Sequence, residues 1–277
     1  MGPSNQKRGE CIFCGQGGLT KEHFYPSWMH PFIPNNTLRG EKVITSHPVK
    51  GETIERDSSG NAGLHTMKLR VVCAPCNNGW MNRLENEARP TLTKMILGQR
   101  HLISDDQQEK VAKWCVAKVI VAEHATGAVP MTPPADRQSF AHSREIPDYF
   151  RVYVCAHKLE PQLGYTRRTS TVSLARGRPV PELQGMRRNV QQVSFFMGKA
   201  LVHVNAARVE GFAIEDRFQM PLVHKDMRFW PPSHSRIKWP GKSVLHFEQI
   251  RALANSWAII AQSNSTLWSE IPGEGWN

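Results

Sequence analysis

The chain has no long hydrophobic run. Nothing in it approaches the ~20 uninterrupted apolar residues that a membrane-spanning helix requires, and the best stretch, Val111 to Ala122, is broken by Lys113 and Lys118. No membrane partner is therefore expected. The start, Met1-Gly2-Pro3-Ser4, lacks the apolar core of a secretory signal, and Pro3 after Gly2 argues against myristoylation, so it reads as a disordered leader. Acidic residues are scarce: 24 Asp and Glu face 35 Lys and Arg, a formal charge of +11 that favours an anionic partner such as nucleic acid. Cysteines are few, and four of the six fall in two C-x-x-C pairs, which points to metal binding in a reducing compartment rather than a disulfide framework. A cytoplasmic location follows as an expectation. Internal repeats and low-complexity tracts are also absent. What the chain does have is apolar material, 40% of 277 residues with 8 tryptophans, enough for one large buried core or for a small domain joined to a medium one.

Residues 1–98 carry both cysteine pairs and read as one module, followed by a second region over 99–277. Within the first, an inserted loop over about 35–63 is rich in Gly, Asn, Ser and charge, with Val43, Ile44 and Ile54 suggesting short strands. After Cys76, the spacing of Trp80, Met81, Leu84 and Ala88 predicts a helix that Pro90 interrupts or restarts and Gly98 closes. Ser104 with Asp105, Asp106 and Gln107 is a capping signature for a helix to about His124, and a short helical piece is expected near Phe140. Beyond it, Phe150–Cys155, Ser170–Leu174, Val193–Met197, Ala200–Val204 and Val244–Phe247 are β-rich runs, with a closing helix over Ile250–Gln262. The expected class is α+β, with a β-rich second region.

Cys11-Ile12-Phe13-Cys14 and Cys73-Ala74-Pro75-Cys76 each offer two thiolates at the spacing that lets one tight turn donate both sulfurs to a tetrahedral ion. A structural Zn²⁺ on Cys11, Cys14, Cys73 and Cys76 is the reading, and Gly15, Gly17 and Gly18 suit the first knuckle's tight backbone. Cys115 and Cys155 have no paired spacing and read as ordinary buried thiols.

Past the first knuckle lies Lys21-Glu22-His23-Phe24-Tyr25-Pro26-Ser27-Trp28, in which a carboxylate precedes a histidine and a proline follows three residues later. With the second C-x-x-C followed at once by Asn77 and the run to Glu85, this resembles the HNH endonuclease family and its ββα-metal fold, over about residues 10–90. The resemblance implies that Glu22 binds a divalent cation, that His23 is the general base, and that Asn77 completes the metal site at the start of the helix. The chemistry suits these roles. A near-neutral imidazole can deprotonate water, and hard oxygen ligands favour Mg²⁺ or Mn²⁺ as a catalytic ion separate from the zinc. Asn78 offers the same side-chain chemistry as Asn77, or it caps the helix. The family's acidic residue is usually Asp, here replaced by Glu22. Its middle Asn, which orients the base, has no counterpart in Met67–Val72, leaving Asn61, His65 or a backbone carbonyl to substitute.

The function expected from these residues is a metal-dependent endonuclease that hydrolyses phosphodiester bonds in nucleic acid, with DNA favoured over RNA. A double-strand cutter with one such site needs a homodimer or two events. Basic groups at Arg167-Arg168, Arg176, Arg178, Arg187-Arg188, Arg228, Arg236 and Lys238, with Trp230 and Trp239 among them, make 99–277 a candidate substrate-binding or regulatory region. The alternatives are a zinc-stabilised nucleic-acid-binding or regulatory protein without cleavage, and a protein-interaction module.

Overall fold

A computed structural model of the chain describes residues 9–33, 42–47, 52–57, 67–124, 130–159, 162–174, 189–208, 227–242, 244–254 and 267–270. Strand β1 (Leu19–His23) leads into a short 3₁₀ helix, Ser27–Phe32, and then to β2 (Lys42–His47) and β3 (Glu52–Asp57), an antiparallel pair where the inserted strands were expected. Strand β4 (Lys68–Cys73) returns antiparallel to β1, with Leu19 opposite Cys73, His23 opposite Lys68 and a bulge between Thr20 and Glu22. From Cys73 the chain turns directly into helix: one turn over Ala74–Cys76, a wider π-type turn over Asn77–Met81, and then α1 (Asn82–Ile96).

Pro90 does not divide α1, contrary to expectation. Leu84, Ala88, Leu92, Met95 and Ile96 bury one stripe on both sides of it, and that burial offsets the ~3 kcal/mol an interior proline costs. Gly98 does close the helix, in the left-handed conformation at φ 67° with its N–H on the Met95 carbonyl.

Strand β5 (His101–Ser104) precedes α2 (Asp105–Ala122), whose start is a reciprocal cap: Ser104 Oγ accepts from the Gln107 N–H at 3.3 Å, and the Gln107 side chain accepts from the Ser104 N–H at 2.9 Å. Helix α2 is buried along most of its length because it packs against α1 on one side and strands on the other. Helix α3 (Pro134–Ser143) follows. The long strands are β6 (Phe150–His157), β7 (Gln162–Leu174), β8 (Val190–Gly198) and β9 (Ala200–Ala207). Short elements follow among the described residues: β10 (Arg228–Trp230), β11 (Arg236–Trp239), β12 (Val244–Leu245), α4 (Phe247–Ala254) and β13 (Leu267–Glu270).

The large sheet has the order β10-β6-β9-β8-β7-β13, antiparallel throughout, with β12 added parallel to β6, while β11 pairs with β5. The architecture is therefore mixed α and β, as expected. The run at Val244 is a two-residue strand only, because the Gln249 side chain accepts the His246 N–H and starts α4 at Phe247, three residues before the expected Ile250. The remainder of that expected helix, 255–262, lies outside the described residues. The short strands β5, β10, β11 and β13 carry too few residues for a period-two signal.

Register separates the two faces of the sheet. Val152, Val154, Val193, Phe195, Val202 and Val204 share the face against α2, where Trp114 meets Phe195 at 6.3 Å between ring centroids. The other face carries Arg151, Tyr153, Gln192, Ser194, His203 and Asn205, also buried, with Ser194 Oγ 2.7 Å from His203 Nδ1 and Gln192 donating to Asn205 at 3.1 Å. A single buried cluster runs from Cys11 to Trp239, so the elements on either side of residue 98 share one core. Among the described residues no helix is long and apolar enough to cross a membrane.

Two outcomes are expected. Ser104→Ala removes half of the reciprocal cap and lowers stability by about 1 kcal/mol in chemical denaturation. Burial holds His203 and His124 neutral down to about 3, and His157 down to about 4. Each binds its proton in the unfolded chain from the ordinary 6.5 downward but not in the folded one, so stability falls as pH drops below 6.5. His203→Gln should remove about 1.4 kcal/mol per pH unit from that slope between pH 6 and pH 4, read from denaturation midpoints.

Candidate functional site

The hairpin register brings the two knuckles together. Cys73 closes β4 opposite Leu19, the N–H of Ile12 donates to Val71, and the N–H of Ala74 donates to Gly18. The result places the sulfurs of Cys11, Cys14, Cys73 and Cys76 all within 4.8 Å of one another, with Cys14 and Cys73 at 3.4 Å. Tetrahedral zinc at about 2.3 Å from each sulfur needs sulfurs roughly 3.8 Å apart, so the cluster fits that ion. All six cysteines are free thiols, and Cys115 and Cys155 are buried away from the four, as expected. Burial raises the Cys76 thiol far above its ordinary value; a zinc ion would offset this by taking the thiolate as its ligand. The knuckles are packed from behind by Trp80, edge-on to Phe13 at 4.9 Å, and the buried Arg137 donates to the Ile12 carbonyl at 3.1 Å.

Beside this cluster lies a cavity of about 100 Å³ lined by Glu22, Asn77, Asn78, Glu85 and Lys118 among others. It has room for an ion and several waters, and is well below the ~300 Å³ at which ligand-sized pockets begin. Strand β1 directs Glu22 inward, where it is 8% exposed, and leaves His23, the next residue, half-buried. Asn77 lies in the first turns after the second knuckle, its Nδ2 donating to Thr20 Oγ1 at 3.1 Å across to β1. Asn78 is exposed and lies inside the Asn77–Met81 turn rather than at its start, so it does not cap the helix. The structure thus brings Glu22, Asn77 and Asn78 to one cavity, and these are hard-oxygen donors that suit Mg²⁺ or Mn²⁺.

The imidazole of His23 is held below its ordinary value by burial first and then by the Lys68 charge, with Glu22 opposing and His30 and Lys118 adding to the depression. A neutral imidazole near neutral pH is the form a general base needs. Lys21, Lys68 and Arg70 are exposed on the same hairpin, which gives its outer surface a positive charge.

Sequence reasoning missed Lys118. In sequence this lysine is an interruption of an apolar run within a mostly apolar helix, yet its side chain is 3% exposed, pairs with Glu22, and donates to the His23 carbonyl at 2.9 Å. Glu85 completes the group, 3.6 Å from the Lys118 ammonium and accepting from Trp28 Nε1 at 3.1 Å. A lone charge within a stretch as apolar as Cys115–Ala122 was the available signal. Of the proposed base-stacking tryptophans, Trp239 is in the core, while Arg236 and Lys238 beside it on β11 are exposed. The candidates for the middle Asn, Asn61 and His65, lie outside the described residues, as do Arg176, Arg178, Arg187 and Arg188.

No protein-family model matches the chain, and no curated protein or solved structure matches it either.

Cys76→Ser is expected to abolish stoichiometric zinc, measured by inductively coupled plasma mass spectrometry, and to erase the near-ultraviolet circular dichroism of the Trp80 environment. Retention of a full zinc complement would remove Cys76 from the ligand set.

Proposed function

We propose that this chain is a metal-dependent endonuclease of the HNH type acting on nucleic acid, with DNA favoured over RNA. The observation that carries the reading is the convergence of Glu22 and Asn77 on one small cavity, with His23 adjacent on β1 and the whole hairpin fixed by a four-cysteine cluster. Glu22 with Asn77 or Asn78 would hold the divalent ion, which when bound neutralises charge on the phosphate and on the departing oxygen. His23 takes the proton of the attacking water; its depressed basicity keeps it unprotonated at neutral pH. Lys68, directly opposite His23 in register and exposed, offers a cation for the substrate backbone. A zinc ion held by Cys11, Cys14, Cys73 and Cys76 would be structural, because four thiolates would complete its coordination and leave it no catalytic role.

A specific observation favours a second reading. Glu22 is already engaged by a buried ammonium, which suits a zinc-stabilised nucleic-acid-binding protein that does not cleave. Such a protein retains nucleic acid in a salt-sensitive way without nicking it.

Plasmid nicking separates the two. Wild type is expected to nick with Mg²⁺ or Mn²⁺ and to stop in EDTA, and His23→Ala to lose about 10²–10⁴-fold in rate with zinc content and folding intact. The acid limb of the wild-type rate should fall below the ordinary histidine value of 6.5, because the imidazole is neutral to lower pH. Well-folded, zinc-loaded wild type that retains nucleic acid and leaves it uncut would move the assignment to the binding protein.

A further inference from the structure

Lys118 is an anomaly by its surroundings. Its neighbours Val116, Ala117, Val119 and Ile120 are all buried, and packing α2 would be served as well by leucine at this position. A buried ammonium is tolerated only with compensating partners, and Lys118 has three: the Glu22 carboxylate, the His23 carbonyl at 2.9 Å and the Glu85 carboxylate at 3.6 Å. Two of these belong to the motif on β1, and the third is fixed in turn by Trp28 from the same motif at 3.1 Å. A residue far along the chain therefore closes a ring of contacts around the cavity that Glu22 shares with Asn77 and Asn78.

We propose that Lys118 is a positioning residue of this site, whose ammonium fixes the Glu22 carboxylate and the backbone at His23 and sets how strongly the cavity takes a divalent cation. The inference rests on the assignment of Glu22 as a metal ligand in the nuclease reading. The charge balance gives the direction. Glu22 and Glu85 bring two negative charges, Lys118 removes one of them, and a cation entering beside Glu22 meets the ammonium at short range. The lysine therefore holds Glu22 in one orientation while keeping metal affinity low. Without it, two carboxylates and the amide oxygens of Asn77 and Asn78 form a hard-oxygen site of higher charge. Thiolates are poor partners for manganese, so the four-cysteine site does not compete for that ion.

The test is Mn²⁺ binding to full-length, zinc-loaded protein, read from the electron paramagnetic resonance signal of free Mn²⁺. Lys118→Met should bind Mn²⁺ at least about tenfold more tightly than wild type, and Lys118→Arg, which keeps the charge, should stay within about threefold of wild type. Adding Glu22→Gln to Lys118→Met should abolish the gain. Equal affinity in wild type and Lys118→Met, or a gain that survives Glu22→Gln, overturns the proposal. Should Lys118→Met fold poorly because Glu22 has lost its partner, added Mn²⁺ should raise its melting temperature and leave that of wild type nearly unchanged. No rise overturns the proposal as well. Since these readouts are binding and stability, an affinity gain in a protein that nicks no substrate leaves the role of Lys118 standing and removes only the nuclease reading.

Discussion

Four sulfurs from two segments at either end of a long insertion converge within 4.8 Å, and the hairpin geometry depends on that convergence. The first knuckle fixes the approach to β1 and the second fixes the end of β4 and the start of the helix that follows. With both ends tied, the β1–β4 register is closed, and Glu22 has to face the helix while His23 stands opposite Lys68. Two-stranded hairpins are marginal by themselves in water. Here the four-cysteine cluster on one side and the buried face of α1 and α2 on the other supply what the ladder alone does not.

Buried charges then join this hairpin to the rest of the molecule. Lys118 couples α2 to β1 through Glu22 and the His23 carbonyl. A second group lies at the end of the same helix, where the fully buried Glu123 accepts from the N–H groups of Met131 and Thr132, the Thr132 hydroxyl and the Gln191 amide of β8. Arg137 extends it, donating to the carbonyls of Ile12 and Thr132, so the first knuckle, α3 and the large sheet share one polar network. Tyr25 adds a further tie by donating its hydroxyl to the Gly164 carbonyl of β7 at 2.5 Å. Removing one member from such a network leaves a buried group unpaired, which is costlier than the net worth of the pair itself.

Much of the fold was legible where the signal is local. The capping box at Ser104 and Gln107, the glycine stop at Gly98 and the β-rich runs of β6, β8 and β9 are set by neighbours in sequence, and each lies where the residues predicted it. Pro90 misled because a proline's local cost is weighed against burial of a stripe that only the folded core supplies. Strands of three or four residues, such as β10 and β11, acquire their conformation from the partner they pair with rather than from their own pattern. The polar inner residues of the large sheet, Gln192, Ser194, His203 and Asn205, look like a solvent face by alternation and are buried nonetheless.

The candidate site divides along the same line. The spacing of Cys11, Cys14, Cys73 and Cys76 by itself singled out the four thiols that the fold gathers into a possible metal site, because a two-residue gap between thiols is a geometric statement about a single turn. The motif around His23 likewise nominated Glu22 and Asn77 by their positions next to the two knuckles. Only the tertiary structure decided that Lys118 enters the same cavity, that Glu85 and Trp28 brace it, and that Trp239 is core rather than surface. The physical reason is that a contact between residues some ninety-five positions apart carries no periodicity or spacing in the sequence. It exists only once α2 has packed against β1 and α1, and an ammonium buried there is held in place by partners that the chain brings from elsewhere.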